Sequence, residues 1–426
     1  MAIDPEELDR RRQKREAYRQ ERLAKKRKLR LRILIAAVVL IGCGVLIFTM
    51  KGPQMGAPEQ TQPPVETEPP QTEQTQPEGT LPPTTTIRLA LTGDLNVNDR
   101  VVASGGGNYD YTNTFMDVLP VLAEADLTVV NLEGNLVGSP YGSSTASAPI
   151  QLMEGLKTAG VDMIQLANSY AIHNGVSGLQ STINSVYAAG MEPLGVYADE
   201  DAFRAGKGYT IRSVDGIDVA FVAFTKGMDG MALPAGSENC VNLLYKDYDS
   251  TYQSVDTERI TKILSDTEKA SPDITVALLH WGSEFNNSIS SSQEKIAKLM
   301  FENGVDVIVG THSHYVQQVI YDRAAGTLLA YSLGDFCSDS QRAGSEYSVV
   351  LEVEITKENA TGNTTVSGWS YTPIFSINEK DKPMRVVRLQ QAMKAYEANQ
   401  LGCVNQATYE DMQYAMERIE ARIAGE

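Results

Sequence analysis

"VDVIVGTHSHYVQQV", residues 305–319, decides how the rest of the chain is read. A short apolar run rich in β-branched side chains predicts a buried strand, and it ends in two of the chain's four histidines, His312 and His314. Alternate residues of an extended segment point to the same side. An H-x-H pair at a strand end therefore presents two imidazoles together, as a metal ion needs. The competing reading is two polar residues in an ordinary loop, and the other strands weigh between the two.

Those strands are "IRLALTG", "DLTVVNLEG", "VDMIQLANS" and "DITVALLHWG", with helix-like stretches at Thr114–Ala125, Gly178–Ala189 and Ser292–Asn303 between several of them. Apolar runs alternating with helical patterns predict an α/β domain. "YSVVLEVEITKENATGNTTVSGWSYTPIFSI" adds antiparallel strands around a Thr-Gly-Asn turn, so the sheet is mixed. Each strand brings ligand-type side chains to its carboxyl end. Asp94 follows the first, Asn131 and Glu133 end the second, Asn168 ends the third, and His280 and Glu284 follow the fourth. In an open α/β sheet those ends line one crevice. Taken singly, an Asp after a strand caps a turn, and a His before Trp, as at His280, is an ordinary hydrogen-bonded edge residue. Convergence of five segments is what favours a site.

At 426 residues and 42% hydrophobic, the chain has room for one large domain or two ordinary ones. Its formal charge of −17 conceals an asymmetry: residues 1–32 carry thirteen Lys/Arg against six Asp/Glu, about +7, leaving about −24 for the remainder. An acidic body argues against a nucleic-acid partner. The basic segment runs into "ILIAAVVLIGCGVLIFTM", residues 33–50, uncharged and as long as a membrane-spanning helix requires. The positive-inside rule then places the N-terminus in the cytoplasm and the rest outside the cell. Residues 51–86 hold nine of the eighteen prolines and almost no large apolar side chain, which predicts an extended spacer. Cys240, Cys337 and Cys403 have no metal-type spacing and permit at most one disulfide. The expected organisation is a basic cytoplasmic segment 1–32, a transmembrane helix 33–50, a linker 51–86, a domain 87–385 and a polar helical segment 386–426.

Six blocks, "TGD" at 92–94, "NLE" at 131–133, "LAN" at 166–168, "HWGSE" at 280–284, "GTHSH" at 310–314 and "YSLGDF" at 331–336, carry a resemblance by their order and spacing. Over about residues 87–340 the chain resembles the CapA family of poly-γ-glutamate capsule biosynthesis proteins, whose domain is similar to the calcineurin-like metallophosphatases. The resemblance implies a metallophosphatase-like αββα sandwich with mixed β-sheets, after a single transmembrane helix. It also implies a ligand set. Asp94 would hold one metal, Glu133 would bridge two, Asn168, His280 and His312 would hold the second, and His314 would complete the first. Imidazole nitrogens mixed with carboxylate and amide oxygens suit one or two divalent ions of manganese, iron or zinc, able to activate a water and clamp an oxyanion. Asn96, Asn131, Glu284 and Asp335 are expected to line the same crevice as binding residues.

The chain departs from the family pattern at "LANSYAIHNG", residues 166–175. Ser169 takes the place of a second Asn, and Tyr170 that of the His expected to protonate a leaving group. His173 replaces an Asp. A tyrosine with a solution pKa near 10 is a poor acid at neutral pH, so Tyr170 and His173 are the two candidate catalytic groups. Asn96 and Thr311 stand where His is usual, and Asp335 where Asn is usual. Two functions follow. One is a membrane-anchored surface protein of capsule polymer assembly, binding metal and a polyanionic polymer beside membrane synthase subunits. The other is an active metal-dependent phosphoesterase or amide hydrolase at the cell envelope.

Overall fold

A computed structural model of the chain describes residues 82–339 and 342–426. The basic segment, the apolar run 33–50 and all but the end of the linker lie outside the described residues. Among the described residues, no helix is long and apolar enough to cross a membrane. Residues Pro83–Glu426 form one compact unit.

The chain pairs its strands into two mixed sheets. The first contains β1 (Thr84–Asn96), β2 (Leu127–Glu133), β3 (Met163–Gln165) and β4 (Glu192–Leu194) as parallel neighbours. The second contains β5 (Thr210–Val214), β6 (Ile217–Thr225), β7 (Ile274–His280), β8 (Val307–Thr311), β9 (Val319–Asp322) and β10 (Thr327–Ala330). Its order is β5-β6-β7-β8-β10-β9, with antiparallel strands only at the two edges. β11 (Asp335–Cys337), β12 (Tyr347–Glu358), β13 (Thr364–Ile377) and β14 (Arg385–Arg388) then return to the first sheet, whose order is β14-β13-β12-β1-β2-β3-β4. The β12–β13 hairpin turns at the Thr-Gly-Asn segment, as the sequence predicts.

Period-two alternation divides the second sheet's side chains between two cores. Val219, Phe221, Val276, Leu278, Val307 and Val309 join the core of the first sheet, with Leu89, Val129 and Ile164. Val222, Phe224, Ala277, Leu279 and Ile308 face the other way, onto Ile260, Ile263 and Leu264 of the helix Thr257–Ala270 and Ile296 and Met300 of the helix Ser291–Glu302. Such strands, buried on both faces, read as the continuous apolar runs seen in the sequence.

Three local expectations change. The stretch Thr114–Ala125 is not one helix but two short ones, Thr112–Phe115 and Leu119–Leu122. Pro120 has no N–H to donate to Met116 and fits only in the first turn of a new helix. β1 does not stop at Gly93 but runs to Asn96, because β2 flanks its end and β11 takes over on the other side where β12 leaves off. The boundary at 385/386 falls inside β14, and the helices Leu389–Glu397 and Gln406–Ala424 belong to the same core. Met412, Ala415, Ile419 and Ile423 form a buried stripe at helical spacing. Cys240, Cys337 and Cys403 are free thiols, the first two buried.

At Gly93 the first sheet meets the segment before β11. A Cβ there would lie 1.7 Å from the Gly334 carbonyl oxygen, which also accepts from the Asp94 N–H at 3.1 Å. Backbone on both sides leaves no flexible group to yield. Gly93→Ala is therefore expected to cost about 3 kcal/mol or more of stability, at the upper end of overpacking penalties. An unchanged urea midpoint would contradict this account of the "TGD" block.

Candidate metal centre

Strand ends from both sheets meet at one buried cluster: the carboxyl ends of β1, β2, β7 and β8 and the first residue of β11. Asp94 comes from β1, Glu133 from β2, His280 from β7, His312 and His314 from the turn after β8, and Asp335 from β11. Among the described residues, their side chains form two groups of three. Glu133, His280 and His312 make one, and Asp94, His314 and Asp335 the other, with the ligand-type atoms of each group within 4.8 Å of one another.

The two histidines reach this place by a different route from the one the H-x-H spacing predicts. β8 ends at Thr311, and His312 and His314 both sit in the left-handed region, with φ of 88° and 60°. Such backbone is costly for non-glycine residues and collects at functional sites. The imidazoles do not face one ion side by side. Their ring centroids are 6.3 Å apart and each joins a different group.

Asp94 joins the sheets. Its Oδ2 accepts the His312 N–H at 2.8 Å, its Oδ1 accepts from Asn131 Nδ2, and His314 Nδ1 lies 4.0 Å away. His314 Nδ1 makes its short contact, 2.7 Å, with Asp335 Oδ1. His280 is clamped: Nδ1 lies 3.0 Å from Thr311 Oγ1, and Nε2 lies 2.9 Å from Glu133 Oε1 and 3.2 Å from Ser169 Oγ. Thr311 thus orients the His280 ring at the position where the family usually has a further His. His312 differs from the other two histidines, since both its ring nitrogens are buried without a hydrogen-bond partner. An orphaned buried imidazole is costly, and a metal ion is the partner that its chemistry suits.

Burial dominates the electrostatics. It pushes Glu133 up to about 8 and Asp94 up to about 7, with Glu133 adding to the rise at Asp94. It pulls His280 down to about 4 and His312 well below the usual histidine range. Burial thus favours the neutral forms of both Glu133 and His280, whose Oε1 and Nε2 share one short hydrogen bond. At His314 burial acts downward, but the charge of Asp335, its hydrogen bond, and Glu133 and Asp94 together lift the imidazole to about 10. Five acids and bases held away from their ordinary values in one buried cluster mark a functional site. A divalent cation would have to displace the protons that the raised Glu133, Asp94 and His314 favour. The donor set fits two such ions, one on Glu133, His280 and His312, the other on Asp94, His314 and Asp335, and their chemistry when bound would be Lewis acidity toward an oxyanion.

The remaining expected residues fall around this cluster in distinct ways. Asn168 spends its amide on structure: Nδ2 donates to Asn131 Oδ1 at 3.0 Å and to the Leu132 carbonyl at 2.7 Å, and Oδ1 accepts the Tyr170 N–H at 3.0 Å. Asn131 in turn bridges Asn168 and Asp94. Asn96 carries a buried Nδ2 without a partner. Asp335, expected only to line the crevice, stands within a ligand group. Glu284 is exposed at the rim of a cleft that His312 also lines. Tyr170 is half-buried, with its phenol pushed up to about 12 by burial and by Glu133. His173 is exposed, its ring centroid 5.5 Å from that of Tyr170. Ser169, Thr311 and Lys226 are additions. Lys226 follows β6, and the run "IDVAFVAFTKG" carries the same strand-end signal as the other five segments.

Fold and cluster together define a two-sheet α/β protein with a buried cluster of metal-ligand residues at its strand ends. The chain belongs to the family of the bacterial capsule synthesis protein PGA_cap, whose model matches residues 88–340. It is 28% identical over 311 residues to the capsule biosynthesis protein CapA of Bacillus anthracis, covering 70% of this chain and 72% of that one. To the PGA biosynthesis protein CapA of Bacillus subtilis (strain 168) it is 27% identical over 261 residues, 59% of this chain and 63% of the relative. Among solved structures, it is similar to a phosphatase from Mycoplasma pneumoniae, with 14% identity, a TM-score of 0.44, and coverage of 68% of this chain and 94% of that one. It is also similar to the NAD nucleotidase NadN of Haemophilus influenzae, with 12% identity, a TM-score of 0.41, and coverage of 79% and 60%.

Proposed function

We propose that the protein is a membrane-anchored accessory factor of poly-γ-glutamate capsule synthesis. Its folded unit stands outside the cell and uses a two-ion centre to bind the growing polymer near its membrane synthase. The convergence of two complete ligand groups on one cluster, in a chain of the capsule synthesis family, carries this reading. Divalent cations also answer an electrostatic difficulty, since an acidic body repels a polyanion unless local positive charge offsets it.

Binding is favoured over turnover by the state of the two candidate acids. A general acid works best with a pKa near the working pH. Tyr170 is held up to about 12, and His173 is turned outward. Asp94, His314 and Asp335 would hold one ion, and Glu133, His280 and His312 the other. Turnover of a chromogenic phosphoester by the metal-loaded protein, lost in Asp94→Ala, would favour the hydrolase reading instead.

The test is made in the cells that carry the protein. Asp94→Ala combined with His280→Ala is expected to lower surface polymer at least tenfold while the protein persists in the membrane fraction. Protease added to those intact cells should digest the folded unit. Unaltered polymer in the double variant, or a folded unit that only lysis exposes, would overturn the corresponding half of the proposal.

A further inference from the structure

Beside the buried cluster lies a cleft of about 260 Å³ whose lining includes Ser169, Lys226, Asp229, Tyr252, Glu284 and His312. It is smaller than the ~300–1,000 Å³ typical of sites for larger ligands, so it suits a group the size of one amino-acid residue. Its charge is mixed. Lys226 is half-buried, donates to the Gly282 carbonyl at 3.1 Å and lies 4.8 Å from the centre of the Tyr252 ring. Both partners are neutral, and an ammonium has three N–H donors, so it retains donors for an anion. Asp229 and Glu284 are exposed on the same cleft and act electrostatically on Lys226. His312, 2% exposed and with both ring nitrogens unpartnered, lines the cleft as well. His312 is thus shared between the cleft and the Glu133 ligand group.

We infer that this cleft takes the free α-amino-acid end of a glutamyl chain, its α-carboxylate at Lys226 and its α-ammonium at Asp229 and Glu284. A lone anion entering the cleft would meet two carboxylates, and a lone cation would meet Lys226. A zwitterion satisfies both signs. In a γ-linked chain the interior residues keep an α-carboxylate, but their nitrogen is an amide. Only the amino-terminal residue carries both charges, so the cleft distinguishes the end of the polymer from its length. The glutamyl identity rests on the function proposed above, whereas the preference for a zwitterion rests on the cleft alone.

The test uses the full-length protein in detergent with manganese, and calorimetric titration with γ-glutamylglutamate, its N-acetyl form and its α-amide. The free dipeptide is expected to bind, and N-acetylation to weaken it about 10- to 100-fold, the range of one charge-assisted hydrogen bond in affinity terms. Lys226→Met should weaken the dipeptide by a similar factor while metal content is retained. Asp229→Asn with Glu284→Gln, both at exposed positions, should abolish the discrimination against the acetylated form. Equal binding of free and acetylated dipeptide, no binding of either, or Lys226→Met binding as the parent does would each overturn the inference. The polymer phenotype reports separately: polymer lost in Asp94→Ala/His280→Ala cells without dipeptide binding removes this site and leaves the capsule role. Dipeptide binding without any polymer phenotype does the reverse.

Discussion

Manganese or zinc added to the metal-free protein at about a hundred times its dissociation constant is expected to raise the melting temperature by roughly 4 °C per ion. Such an excess adds about 2.7 kcal/mol by mass action, and the unfolding entropy of a unit as large as Pro83–Glu426 converts that into only a few degrees. The informative variant is His312→Ala. In the metal-free protein its imidazole has no hydrogen-bond partner to lose, so removing it relieves an unsatisfied group while leaving a small void. Those effects oppose each other. The melting temperature without metal should therefore barely move, while the increment from the Glu133 group disappears. His280→Ala should lower both, because His280 also holds Glu133, Ser169 and Thr311. The same melting curve in chelator and in manganese would remove the metal centre altogether.

The second large effect is the pH dependence of metal affinity. A ligand must shed its proton before it can bind an ion, so affinity falls as pH drops below the pKa of each ligand. Glu133 is raised to about 8, Asp94 to about 7 and His314 to about 10. All three therefore compete with metal on the acid side of their pKa. Each costs up to tenfold per pH unit. His280 and His312 are depressed and already neutral, so they add nothing to the slope. Between pH 8 and pH 6 the affinity should drop on the order of 10²-fold at the Glu133 group and about 10³-fold at the Asp94 group. Carboxylates and a histidine with ordinary solution values would give less than about tenfold. Titrations in buffers of different ionisation heat count the released protons directly, and affinity flat within a factor of ten over that range would contradict the assigned protonation.

Much of the fold was legible because it rests on local pattern. β2, β7 and β8 are continuous apolar runs since each is buried on both faces, and the ligand-type side chains mark their carboxyl ends. The departure at Tyr170 was equally plain. His312 and His314 show where local pattern stops. Their spacing suggested one extended segment facing one ion, yet both turn left-handed and serve different groups, a choice imposed by partners such as Asp94, 218 residues away. Asp335 joined the group of Asp94 and His314 only because β11 pairs beside the end of β1. Lys226 entered the site because β6 lies next to β7, although "FTKG" carried the strand-end signal.

Legible along the chain were five of the strands with the ligand-type residues at their ends, the β12–β13 hairpin and the family, since side-chain period and block order are properties of neighbours in sequence. Only the packing of distant segments settled the membership of Asp335 in the group of Asp94 and His314, the orphaned His312, the hydrogen bonds that tie Asn168 to Asn131, Leu132 and Tyr170, and the mixed charge of the cleft. These depend on the packing of one sheet against the other and on the low dielectric that this packing creates, where a buried carboxyl keeps its proton and an imidazole loses one.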